Sequence, residues 1–194
     1  MKPAALVLAL VATALALPVA AQTGGFYVGA GFGQSKAKEW CSNAGGISCD
    51  DRDTGWRAFG GYRLNRNFAA ELGYVNLGKF AASAGGLTDD AKVSAWDLSA
   101  LAAWPFTSQF ALYGRVGAYR ANAKEETNFV GNFEHDNSDL TYGLGGQFDF
   151  TRNLGLRVEW QRYAKVGGGD VALGPNPGDK TDIDLFGLSA LWRF

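Results

Sequence analysis

The chain has 194 residues with 19 acidic and 18 basic side chains, a formal net charge of −1. So mild a balance excludes a protein that grips nucleic acid by charge, which needs a basic face, and the length suits one principal domain. Glycine, at 27 residues, and aromatics, at 13%, are both abundant.

The first element predicted is a secretory signal. Met1-Lys2-Pro3 is a basic start, Ala4 to Leu17 an apolar core, and Val19 and Ala21 the small residues of a cleavage site. The run is shorter than the ~20 apolar residues a membrane helix needs and ends at Pro18, so cleavage after Ala21 is expected. The domains read are a signal over 1–21 and a mature domain over 22–194, whose net charge becomes −2 once Lys2 is lost.

No later stretch is apolar for long enough to form a membrane helix. Shorter segments alternate apolar and polar residues with the period of a strand. The first, 26–36, carries Gly29, Gly31 and Gly33 at a spacing of two, which fits a tightly packed inward strip; no helix follows to complete a phosphate loop. A polar connection over 37–54 holds Cys41 and Cys49, expected to form a disulfide in an exported protein. A two-cysteine metal site is the rival, but no histidine or third cysteine lies nearby.

Segments 55–64 and 68–78 are joined by Asn65-Arg66-Asn67. A long polar connection, 79–91, leads to 92–103, and Pro105 to Ser108 turns into 109–121. Another, 122–138, leads to 139–150, and Thr151-Arg152-Asn153 turns into 154–164. The glycine-rich 165–181 precedes the last segment, 182–194. Alternating short turns and long loops are the pattern of an outer-membrane barrel with its short turns in the periplasm.

Parity says which side of each segment meets lipid. Even-numbered positions from the second segment onward are almost all apolar, for example Leu72, Leu98, Val116 and Leu144. The odd positions between them carry Arg57, Glu71, Asp97, Ser99, Arg115, Thr141, Gln147, Asp149, Arg157, Glu159, Gln161 and Ser189. An arginine at mid-membrane costs about 2–4 kcal/mol, so these residues are expected to line the lumen. The outward aromatics sort into two belts, Trp56, Tyr74, Trp96, Tyr142, Trp160 and Phe186 toward the long loops, and Tyr62, Phe68, Trp104, Phe110, Phe148, Trp192 and Phe194 toward the short turns. A soluble carrier barrel would place its apolar face inside instead.

At this point the sequence resembles the OmpA-like eight-stranded outer-membrane barrels. The likeness rests on Gly25-Phe-Tyr-Val-Gly-Ala-Gly-Phe-Gly33, Gly55-Trp-Arg-Ala-Phe-Gly-Gly-Tyr62, Asn67-Phe-Ala-Ala-Glu-Leu-Gly-Tyr-Val-Asn-Leu-Gly78 and the terminal Phe194. It implies an all-β, eight-stranded antiparallel up-and-down transmembrane barrel in the bacterial outer membrane. Nothing follows Phe194, so the peptidoglycan-binding domain of the long OmpA form is not expected. The resemblance also implies that Phe194, with Trp192, belongs to the signal read by the barrel-assembly machinery.

The inner charges balance, with Arg57, Arg115 and Arg157 against Glu71, Asp97 and Glu159. Eight strands leave room only for side chains, so these charges are expected to pair across the lumen. All seven lysines of the mature chain, Lys36, Lys38, Lys79, Lys92, Lys124, Lys165 and Lys180, fall at or beyond the long-loop ends. A ring of ammonium groups there suits lipopolysaccharide phosphates. His135 sits in a predicted loop beside Asp136, Ser138 and Asp139, a thin basis for catalysis. No catalytic set, cofactor site or metal site is assigned. The role expected is structural and interactive, for a monomer whose partners are outer-membrane lipid, lipopolysaccharide and the assembly machinery, without nucleic acid. A narrow pore for ions or small solutes is the alternative, and a lipid-modifying enzyme the third reading.

Overall fold

A computed structural model describes residues 24–38, 48–84, 87–127, 131–167 and 180–194, with side chains described except at 48–50, 81–91, 123–127 and 131–135. The strands are β1 (Gly25–Ala37), β2 (Ser48–Asp50), β3 (Arg52–Arg63), β4 (Phe68–Ala84), β5 (Leu87–Pro105), β6 (Phe110–Thr127), β7 (Gly131–Asp149), β8 (Leu154–Gly167) and β9 (Lys180–Arg193). All pairings are antiparallel; β2 only extends the edge of β4, and the other eight strands pair in chain order. Pairing of β1 with β9 closes the remaining eight into a barrel.

Partner residues followed around the wall run from Tyr27 to Gly61, Glu71, Ser99, Gly117, Thr141, Tyr163 and Ile183. They return to β1 at Ala37, ten residues above the start. That stagger is the shear of a closed barrel with tilted strands. The seam is close: a Cβ on Gly31 would overlap the Leu188 carbonyl oxygen and Ser189 Oγ. The glycine strip of β1 therefore lets β9 dock.

Between the strands, the short turns repeat one device. Asn65 Oδ1 accepts the N–H groups of Asn67 and Phe68, Thr107 Oγ1 those of Gln109 and Phe110, and Thr151 Oγ1 those of Asn153 and Leu154. Local side-chain capping of this kind fixes each turn with one short polar residue. Thr151→Ala should cost about 1 kcal/mol, read by urea unfolding in lipid vesicles, because two N–H groups lose their acceptor.

The outer wall carries the two aromatic belts. At one level Trp56 and Tyr74 meet at 5.5 Å and Tyr74 and Trp96 at 5.1 Å between ring centroids. At the short-turn end Phe26 packs on Tyr62 at 4.9 Å and Phe148 on Phe150 at 5.1 Å. Exposed Leu72, Leu98, Val116, Leu144 and Val158 occupy the band between. Such a wall, with large apolar residues outward around its whole girth, matches lipid rather than water.

Two connections expected as long loops are strand. β4 and β5 run on so that only 85–86 separate them, and β6 and β7 so that only 128–130 do. Their register continues to Ala84 opposite Leu87 and Thr127 opposite Gly131. The alternation that marks a strand in lipid disappears beyond the belt because the outer face there meets water and carries residues such as Lys79, whereas the hydrogen-bond ladder is indifferent to that. Bulges at Asn76/Gly78 and Tyr163/Val166 also shift the parity. Gly78, at φ 87°, donates its N–H to Asn76 Oδ1, and Lys165, at φ 56°, donates to Asp182 Oδ1. Beyond them Phe80 and Val166 turn inward. The expected signal over 1–21 and Cys41 lie outside the described residues, as does the side chain of Cys49, so the expected disulfide does too.

Candidate functional site

The interior is stacked in three storeys. The middle one holds Arg57, Glu71, Asp97, Arg115, Arg157 and Glu159, all buried. Alternation along β3, β4, β5, β6 and β8 turns them inward, and the register brings all six together. Glu71 is the hub: its Oε2 lies 3.0 Å from Arg115 Nη2 and 3.5 Å from Arg57 Nη2. Its Oε1 accepts from Arg157 Nη1 and, at 2.9 Å, from the Tyr27 hydroxyl. Glu159 Oε1 takes Arg115 Nη1 at 2.7 Å and Arg57 Nη1 at 2.9 Å, while Tyr113 donates to its Oε2 at 2.5 Å. Asp97 accepts from Arg57 at 3.2 Å, Ser99 at 3.1 Å and Tyr163 at 3.4 Å.

Each buried carboxylate thus faces arginine and one tyrosine hydroxyl, and three positive charges meet three negative ones. Charges withdrawn from water persist only with such pairing. The guanidinium of Arg157 also lies over Tyr113 at 4.7 Å and Phe59 at 5.2 Å, and that of Arg57 over Phe59 at 4.9 Å. These ring faces stabilise cations whose Nε groups have no hydrogen-bond partner. The tyrosines escaped the sequence reading, although Tyr27, Tyr113 and Tyr163 share the odd parity of the charges.

Above lies an apolar storey. Leu77, Phe80, Val93, Tyr163, Val166 and Ile183 are at most 1% exposed and belong to one cluster. The lumen was expected to be charged; here it is apolar. The odd positions Val75, Val93, Tyr119 and Ile183 carry that signal, but it extends past the belt, where no lipid demands a polar inner face.

Below, toward the short turns, Asp149 pairs with Arg193 and accepts from Gln147 at 3.1 Å, and the lumen opens into a cavity.

The lysines whose side chains are described sit outside the barrel, not in its lumen. Lys36, Lys38, Lys79, Lys165 and Lys180 are exposed and Lys92 is half-buried. Lys36 and Asp51 are 3.5 Å apart, and Lys38 and Asp184 3.8 Å. The register sets Lys79 opposite Lys92, and Lys92 opposite Lys124, whose side chain lies outside the described residues. His135 lies on strand β7 rather than in a loop, opposite Ala123, with its side chain likewise outside them. Its neighbour Asp136 accepts from Arg120 at 3.1 Å and Asn122 at 3.0 Å. Trp192 faces outward, and Phe194 N–H donates to the Phe26 carbonyl at 3.1 Å, tying the last residue to β1.

A family model for the outer membrane protein beta-barrel domain matches residues 4–194. The chain belongs to that family. Outer membrane protein A of Klebsiella pneumoniae is 28% identical over 142 residues, covering 71% of this chain and 40% of the relative. Its counterpart in Escherichia fergusonii is 27% identical over 197 residues, covering 98% and 54%. The chain spans about half the length of the curated relatives it matches. Among solved structures, Ail of Yersinia pestis, crystallised with the heparin analogue sucrose octasulfate, superposes with a TM-score of 0.58 at 19% identity. Neisserial surface protein A does so at 0.64 and 16%. In both, 89% of this chain covers all of the other, a likeness of fold. The protein is an integral outer-membrane barrel, and in this family's orientation its short turns face the periplasm.

Proposed function

We propose that this protein is a closed, monomeric barrel that anchors its extended hairpins in the outer membrane and contacts lipopolysaccharide with Lys36, Lys79, Lys92, Lys124, Lys165 and Lys180. The observation that carries this reading is the placement of those lysines just beyond the upper aromatic belt, with Lys79, Lys92 and Lys124 on adjacent strands in one register. Anions are drawn to cationic residues gathered at one height on neighbouring strands. The phosphates of the outer leaflet supply such anions at that height.

Within the lumen, the charged side chains are committed to one another and the storey above is packed with apolar groups, which speaks against a resting pore. Phe194 and Trp192 are assigned to recognition by the assembly machinery, so deleting Phe194 should slow insertion in cells more than it lowers the stability of the finished barrel.

The test is lipopolysaccharide retained on the barrel purified from outer membranes. Replacing Lys36, Lys79, Lys92, Lys165 and Lys180 together with glutamine should lower it far more than tenfold, since each contributes on the order of 1 kcal/mol at a charged surface and about 1.4 kcal/mol is already a factor of ten. Unchanged retention would refute the contact.

A further inference from the structure

We infer that the periplasmic mouth of the barrel binds a small oxyanion, a phosphate or carboxylate group presented from the periplasm. The site is a cavity of about 160 Å³ set between the Asn65–Asn67 and Thr107–Gln109 turns. Arg63 and Arg66 stand on its wall, and Arg157 and Tyr113 lie on its lumen side.

The charges at this end do not cancel. Arg63, Arg66, Arg152 and Arg193 face a single acidic side chain, Asp149. Asp149 is already engaged by Arg193 and by Gln147 Nε2. Arg157 is committed upward to Glu71, and its Nη2 donates to Gln147 Oε1 at 3.1 Å. Asn65 Oδ1 is taken by two turn N–H groups, so what that side chain can still offer is its amide donors. Arg63, half-buried, has no ion-pair partner among the described residues.

A partly desolvated guanidinium with a like-charged neighbour is a poor resting arrangement unless an anion completes it. The fork of an arginine suits a carboxylate or phosphate bidentately. The cavity exceeds the ~30 Å³ share of one water several-fold, room for a small oxyanion with some of its hydration. Low-dielectric walls around a one-signed mouth also concentrate anions there. This site lies at the opposite end from the lysine ring and does not depend on it.

The full barrel, labelled with 15N arginine in maltoside micelles, would be titrated with inorganic phosphate and, separately, acetate while the Hε–Nε resonances are followed. Arg63 and Arg66 should shift along saturating curves. Arg63→Gln and Arg66→Gln should each weaken the apparent affinity about tenfold, and Arg63→Lys less. Should Arg63→Gln fail to fold, Arg66→Gln, at an exposed turn, still gives the readout. A second arm places the barrel in nanodiscs of phosphatidylcholine with or without phosphatidylglycerol. Shifts of the same resonances only with the anionic lipid would make a headgroup the source and still support the site. Linear shifts shared equally with Arg120 at the far end, or none in either arm, would overturn it.

Discussion

Glu71→Ala is expected to destabilise the barrel by about 3–5 kcal/mol, the largest effect of any single luminal change. Its carboxylate is 1% exposed and contacts three guanidinium groups and the Tyr27 hydroxyl. Removing it leaves three buried cations against two carboxylates, Asp97 and Glu159, in a space that water cannot readily enter. Glu71→Gln keeps the acceptor oxygen and most of the shape, so it should cost less than the alanine. Urea unfolding in lipid vesicles, followed by tryptophan fluorescence, measures both. Equal losses for the two variants would mean that the negative charge both lack, and not the shape or the acceptor oxygen that glutamine keeps, holds the middle storey.

Ala100→Arg should cost about 2–4 kcal/mol in the same assay, because it places a charge near the bilayer midplane. Ala100 points outward on β5, four residues from Trp96 and four from Trp104, which mark the two belts. Arginine in place of Leu154, at the periplasmic rim, should add only about 0–1 kcal/mol beyond the loss of the leucine. A flat response along the strand would contradict the depth assigned to the belts.

Much of this architecture was legible because lipid imposes a strict rule. An apolar medium on one side and a crowded lumen on the other force the alternation of Leu98 with Asp97 and Ser99, or of Val116 with Arg115. The three short turns were legible for a different reason, each being a connection of only a few residues between alternating segments; that Asn65, Thr107 and Thr151, three residues before each new strand, hold them came from the structure. What alternation could not report was everything beyond the belt. There Lys79, Lys92 and Lys124 sit on strands with water outside, so their segments read as loops although the ladder continues. The luminal tyrosines were hidden because an aromatic residue at odd parity is ambiguous between interface and interior. Only the register places Tyr27, Tyr113 and Tyr163 against Glu71, Glu159 and Asp97. The cavity at the periplasmic mouth was invisible for the same reason, since Arg63 and Arg157 are separated by 94 positions in the chain.

The bulges at Gly78 and Lys165 have a consequence for how this scaffold tolerates change. Each is a frameshift written into the backbone, with one residue absorbed so that inside and outside exchange places beyond it. Segments above these points need not keep the phase of those below. Insertions or deletions in the outer hairpins can therefore be buffered before they reach the lipid-facing wall, leaving the protein free to vary its exterior while the membrane frame stays in step.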